Sequence, residues 1–277
     1  MYLGRVKFIC LCLVLIGFHA WAANEEVRQL ARLQSSSLKE SSGLVASRTQ
    51  PGVLWTHNDG GGRKRQVLYA VDRSGRELAS FRLAGLRLSD WEDLAVDNQG
   101  RLYLGDLGNN DRRRDRLYVY RVEEPRVSAR SGVLQPEARW ELLFSGEPFD
   151  CESLLVTGSY GYVISKVFDD AHAEMHRFAL EPAGGTVQLH PVARLPVTSP
   201  VTGADLSADG RLLGLVSKKW AYVFEVKGNL LGAAHAPFVR AEAPVKDLEG
   251  CTFVSDGLLA TAESREIILF SGAAFVP

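Results

Sequence analysis

The sequence predicts an all-β protein, a five-bladed β-propeller closed by its own N-terminal strand. Three observations carry that prediction. Short apolar runs rich in Val, Leu, Ile, Tyr and Phe alternate with turns built from Gly, Asp and Asn, as strands do. The runs fall into groups that repeat about every 45–60 residues, close to the length of a four-stranded blade. The last group lacks an outer strand, and a spare strand stands ahead of the first group.

The spare strand is VRQLARLQ (27–34). First strands are SSGLVAS (41–47), EDLAVDN (92–98), ESLLVTG (152–158), ADLSADG (204–210) and EGCTFVS (249–255). Second strands are VLWTHND (53–59), RLYLGD (101–106), YGYVISK (160–166), RLLGLVSK (211–218) and LLATAES (258–264). Third strands are QVLYAVD (66–72), RLYVYRV (116–122), EMHRFAL (174–180), WAYVFEV (220–226) and EIILFSG (266–272). Fourth strands are ELASFRL (77–83), ARWELLF (138–144), VQLHPVARL (187–195) and PFVRAEA (237–243). The strand at 27–34 is expected to supply the missing fourth strand of the last unit. Radial closure then leaves only short sheet edges exposed. A six-bladed ring with one degenerate blade is the alternative. No helical period persists beyond the first residues.

Residues 1–22 read as a secretory signal. Arg5 and Lys7 form the charged region, 8–18 the apolar region, and Ala20-Trp21-Ala22 the cleavage site. The apolar run is too short to span a bilayer. The expected mature chain, 23–277, is a single domain, periplasmic or secreted, monomeric, with no stable membrane insertion. The full chain has 32 basic and 33 acidic residues, a formal charge of −1, and loss of Arg5 and Lys7 takes it to −3. That balance favours neither nucleic acid nor an anionic membrane surface. Cys151 and Cys251 remain after cleavage. A disulfide and a pair of buried thiols both fit.

In a propeller, the loops before first strands and those between second and third strands open on one face. Repetition therefore gathers Ser42, Glu92, Glu152, Ala204 and Glu249 at one mouth. Two residues earlier stand Glu40, Asp90, Asp150, Thr202 and Asp247, so D-x-E occurs three times. The Asp of each pair suits a structural turn. The glutamates Glu92, Glu152 and Glu249 are the expected metal ligands. Converging carboxylates repel, and a hard cation resolves the conflict; oxygen donors point to Ca²⁺. His57 beside Asp59 suits a base and its orienter, with Lys166 steadying developing charge. Asp106, Asn109, Lys218 and Glu263 are the expected ligand-binding residues, with Arg63, Lys64, Arg65 and Arg112 to Arg114 at the rim. No G-x-S-x-G nucleophile elbow occurs. Trp55, Trp91, Trp140 and Trp220 are expected to fill gaps between sheets, with Trp91 the one nearest the site. His172 and His176 are expected on the surface.

ESSGL, VLWTHNDGG, DWEDLA and GDLGNN resemble a family of bacterial exported β-propeller proteins, over most of the mature chain and most closely over 40–125. Its plan is similar to NHL-repeat, phytase-like and gluconolactonase-like propellers. The resemblance implies acidic channel residues that bind Ca²⁺, and in some members hydrolysis of phosphate esters or lactones. The family pattern usually has Asp near the position of Asn109, and TGAD replaces D-x-E in the fourth repeat. The reading is therefore an exported propeller that binds a small-molecule or protein ligand at its top face. Calcium-assisted hydrolysis of an ester, lactone or phosphate ester is the alternative.

Overall fold

Strand formation follows the apolar patterning. In Glu77–Leu83 exposed and buried side chains alternate, as a strand with one wetted face requires. Trp91–Val96 is buried at every residue, its two acids Glu92 and Asp93 included. A computed structural model describes residues 26–62, 66–168 and 171–275. The signal expected at 1–22 and the expected rim residues Arg63, Lys64 and Arg65 lie outside these. The fold is all-β, made of several sheets, and consistent with a β-propeller. No helix among the described residues is long and apolar enough to cross a membrane.

Strand β1 is Val27–Arg32. An antiparallel unit follows, β2 Ser41–Ala46, β3 Leu54–Asn58, β4 Val67–Val71 and β5 Glu77–Leu83. The next comprises β6 Trp91–Val96, β7 Leu102–Asp106, β8 Arg116–Val122 and, after the short β9 Ser131–Leu134, β10 Ala138–Phe144. Then come β11 Cys151–Thr157, β12 Tyr160–Ser165, β13 Glu174–Ala179 and β14 Gly185–Arg194. After these run β15 Val201–Leu206, β16 Leu212–Ser217, β17 Trp220–Glu225 and β18 Phe238–Glu242. The last group is β19 Leu248–Val254, β20 Gly257–Ala262 and β21 Glu266–Ser271, and β1 pairs antiparallel with β21 as its fourth strand. First strands pack in chain order, β2 on β6, β6 on β11, β11 on β15 and β15 on β19, and β19 packs back on β2.

Apolar clusters lie between successive units. Trp55, Phe81 and Trp91 fill one; Tyr103, Trp140 and Phe178 another. Leu33, Tyr69 and Ile267 join the last sheet to the first. Trp55, Trp91 and Trp140 are fully buried, whereas Trp220 is half-buried under the Arg240 guanidinium. Two edge pairings have no signal in the sequence. Strand β9 pairs parallel with β5, and β10 pairs parallel with β14, fusing two units into an eight-stranded sheet. Both cover outer edges that otherwise present unpaired N–H and C=O groups.

Each first strand carries a register shift just after its first residue. The shifts align Ser42, Glu92, Glu152, Thr202 and Glu249. The expected fourth equivalent, Ala204, is thus corrected to Thr202. A period-two pattern reads the same after a slip of two residues, so sequence alternation alone cannot fix this register. Gly203 and Gly250 follow the bulges, where an added Cβ would strike the neighbouring first strand's main chain at Glu249 and at Ser42 to Leu44. The channel wall is tight because those positions are small.

Candidate functional site

The bulges turn one residue of each first strand away from the ladder at the same end of the channel. Hydroxyls stitch this ring where no acid stands: Ser42 donates to the Glu92 carbonyl at 2.6 Å, and Thr202 to the Leu248 carbonyl at 2.6 Å. Glu92 and Glu152 are buried, and the Glu152 charge raises the cost of ionising Glu92. Burial, then the Glu152, Asp59 and Asp90 charges, pushes the Glu92 carboxyl well above the ordinary range.

The tightest group of ligating oxygens is not the three glutamates. Among the described residues it is Asp59, Asp90 and Glu92, whose ligand atoms all lie within 4.8 Å of one another. Asp59 follows β3, and Asp90 and Glu92 flank Trp91 at the start of β6. Asp90 thus joins the site, although its place in D-x-E suggested a turn residue. Gly108 backs the group: an added Cβ there would run into Asp90 Oδ2 and Glu92 Oε1. Burial, then Asp59, raises the Asp90 carboxyl, with Arg114 opposing.

Glu152 and Glu249 continue the acidic wall. Lys166 is ion-paired with Glu152 Oε1, both side chains nearly buried. Glu152 Oε2 and Asp150 Oδ2 are buried without a hydrogen-bond partner among the described residues. Burial raises Glu152 to about 7 against the pull of Lys166. Burial and then the Glu152 charge raise Glu249 to about 8. Burial pulls the Lys166 ammonium down, but Glu152, Asp150 and Glu92 together lift it above its ordinary value, so it stays charged. Lys218 is half-exposed, 3.5 Å from Asp247, and faces Glu249 electrostatically. Glu263 is exposed on the adjoining loop, and its charge adds to the rise at Glu249.

His57, Asp106 and Asn109 are committed to the main chain. The His57 ring stacks on Trp91 at 3.8 Å and 3°. Its Nε2 accepts from the Gly43 N–H at 3.1 Å, and its Nδ1 lies 2.9 Å from the Asn58 carbonyl, which places the proton on Nδ1. Burial drives its pKa down to about 3, with the Asn58 bond opposing. Asp106 Oδ1 accepts from the N–H groups of Ser89 and Asp90 at 3.0 and 2.7 Å, and Oδ2 from Arg114 at 3.0 Å. It therefore fixes Asp90 from behind. Asn109 donates its N–H to Asp150 at 2.7 Å, exchanges bonds with the Arg114 main chain, and donates from its amide to the Phe149 carbonyl. His176, expected on the surface, is buried and stacks on Phe149 at 4.3 Å, because the β13 pleat turns it inward. Cys151 and Cys251 are buried free thiols, which answers the question the sequence left open.

Two acids inside the first strands, Asp93 and Asp205, stand outside the expected site residues. Asp93 accepts from Leu94 N–H at 2.8 Å and across the channel wall from Leu154 N–H at 2.8 Å. Asp205 accepts from Leu206 and Phe253 N–H, each at 2.8 Å. An acid inside an apolar first-strand run was the available signal.

No protein-family model matches the chain, and no curated protein matches it. Among solved structures it is similar to a gluconolactonase from Xanthomonas campestris, 16% identical, covering 88% of each chain with a TM-score of 0.49. It is also similar to hydrazine synthase from Kuenenia stuttgartiensis, 12% identical, covering 82% of this chain and 57% of that one, with a TM-score of 0.41. Likenesses this distant carry no argument about activity.

Proposed function

We propose that the chain is an exported five-bladed propeller whose mouth binds a hard divalent cation, Ca²⁺ by its donor set, and hydrolyses a small ester or lactone there. One observation carries this reading: Asp59, Asp90 and Glu92 bring ligand oxygens within 4.8 Å of one another. The donors are all carboxylate oxygens, which suit Ca²⁺ rather than a softer metal. Gly108 leaves the space they occupy, and Glu152 Oε2 and Asp150 Oδ2 offer further buried oxygens. The residues present therefore fit the ion. When bound, it supplies Lewis-acid polarisation of a carbonyl or phosphoryl oxygen.

The chain's own groups handle the protons. Glu152 and Glu249, at about 7 and about 8, exchange protons near neutral pH, as general acids and bases must. Glu249 is the base of this reading, in place of His57, whose nitrogens are both engaged. Lys166 stays charged beside Glu152 and attracts an anionic or developing oxyanion group.

A binding protein without catalysis is the second reading, for a small-molecule or protein ligand at this face. It is favoured by the commitment of His57 to Gly43 and Asn58. A screen of lactones, aryl esters and phosphate esters with calcium separates the two. Turnover that disappears in Glu249→Gln while calcium binding persists supports hydrolysis. Calcium binding with no turnover on any class supports the binding reading.

A further inference from the structure

The first strands end at the opposite mouth of the channel, where three cavities adjoin. The first, about 280 Å³, is lined by Arg48, Asp205, Tyr162 and the turn 206–210. The second, about 560 Å³, shares Arg48, Ser207, Ala208 and Asp209 with it. The third, about 1000 Å³, shares Leu212, Phe253 and Val254 with the second and is walled further by Val223, Phe238 and Leu258. The three share walls in sequence outward from the ends of the first strands, past β16–β18 and the β19–β20 hairpin. The series begins polar and becomes apolar. Each cavity is of the size that small-molecule sites take.

The inner end carries an unmet donor. Arg48 donates from Nη2 to the Leu206 carbonyl at 3.1 Å, but its Nε–H is buried with no hydrogen-bond partner among the described residues. Asp205 balances the Arg48 charge but gives this N–H no acceptor. Its Oδ1 takes the Leu206 N–H, and its Oδ2 takes the Phe253 N–H and the Thr252 hydroxyl at 2.9 Å. A buried N–H left without an acceptor is costly, and a ligand carboxylate oxygen that accepts from it removes that cost. The outer end exposes Phe238, 39% accessible on an edge strand, stacked on Phe224 at 4.8 Å. Phe238 thus leaves the apolar end of the groove open to solvent.

We propose that this face binds an anionic amphiphile, a single-chain carboxylate with its head at Arg48 and its alkyl chain laid over Leu212 and Phe253 toward Phe238. The site is separate from the carboxylate mouth and needs no cation.

Calorimetric titration with dodecanoate, below its micelle concentration and with EDTA present, tests this. Dodecyl maltoside serves as the neutral chain of equal length, and sedimentation velocity is run in parallel. Saturable one-to-one binding of dodecanoate is expected, at least tenfold tighter than the maltoside. Arg48→Gln is expected to weaken it tenfold or more, and Phe238→Ser several-fold. Phe238 lies on an exposed edge, so its variant reports on the groove even where Arg48→Gln fails to fold. Equal affinity for both amphiphiles, no saturable binding, or affinity unchanged in Phe238→Ser would each overturn the proposal. So would a dimer that Phe238→Ser converts to monomer, since a second copy would then own the groove.

Discussion

Gly108 has no side chain, and its place against Asp90 and Glu92 gives that absence a consequence. A methyl group there must displace one carboxylate or the other. Gly108→Ala is therefore expected to abolish calcium-induced stabilisation while leaving the fold's far-ultraviolet spectrum intact; thermal melts with and without calcium check it. His57 makes a different residue-scale statement. It is neutral in the folded chain, with a pKa of about 3 against 6.5 when free. The unfolded chain binds a proton there that the folded chain refuses, so stability is lost as pH falls from 6.5 toward 3. Urea titrations across that window should show a shallower decline in His57→Gln than in the parent. Parallel profiles in the parent and His57→Gln would contradict the assignment.

Elements are tied by acids that the repeat pattern hid. Asp93 holds β6 to β11 by accepting two buried N–H groups. Asp93→Ala leaves both unsatisfied, at roughly 1–3 kcal/mol each, and should lower the urea midpoint without changing the slope. The contrast with Asp106 is instructive. Both acids were visible in one stretch, yet one closes a wall and the other fixes a loop. The strands themselves were legible because apolar alternation and turn residues fix period and boundaries. The pairing of β1 with β21 was legible from the missing fourth strand. Three things were not. The two-residue register of β15 is invisible to a period-two pattern. The edge pairing of β9 arises only once neighbouring sheets meet. The commitment of His57 depends on the Gly43 N–H and on Trp91, which lie in other strands.

At the scale of the whole molecule, a ring gathers acids from distant repeats, and their mutual repulsion is a property of the closed fold. Glu249 at about 8, and Glu152 at about 7, hold protons in the folded chain that the unfolded chain releases above the ordinary carboxylate pKa of 4.5. Without a cation, stability should therefore fall as pH rises from about 4.5 to about 8. A cation at the mouth offsets that repulsion and releases the protons, so calcium should flatten the decline. Melting curves from pH 5 to 8, in EDTA and in calcium, read this directly. Removal of β1 acts at the same scale. Truncation before Ser35 exposes the β21 edge and the Leu33 contact, and should abolish the cooperative transition.

The central claim is that the mouth is a cation site assembled from Asp59, Asp90 and Glu92. Its most direct test is calcium titration of the purified chain by calorimetry, beside Glu92→Gln and Asp90→Asn. The account predicts one calcium per chain, lost in both variants. At a hundredfold excess over Kd it also predicts about 2.7 kcal/mol of added stability, roughly 5–10 °C in Tm. Heat flow indistinguishable from dilution, or binding retained in both variants, would contradict it.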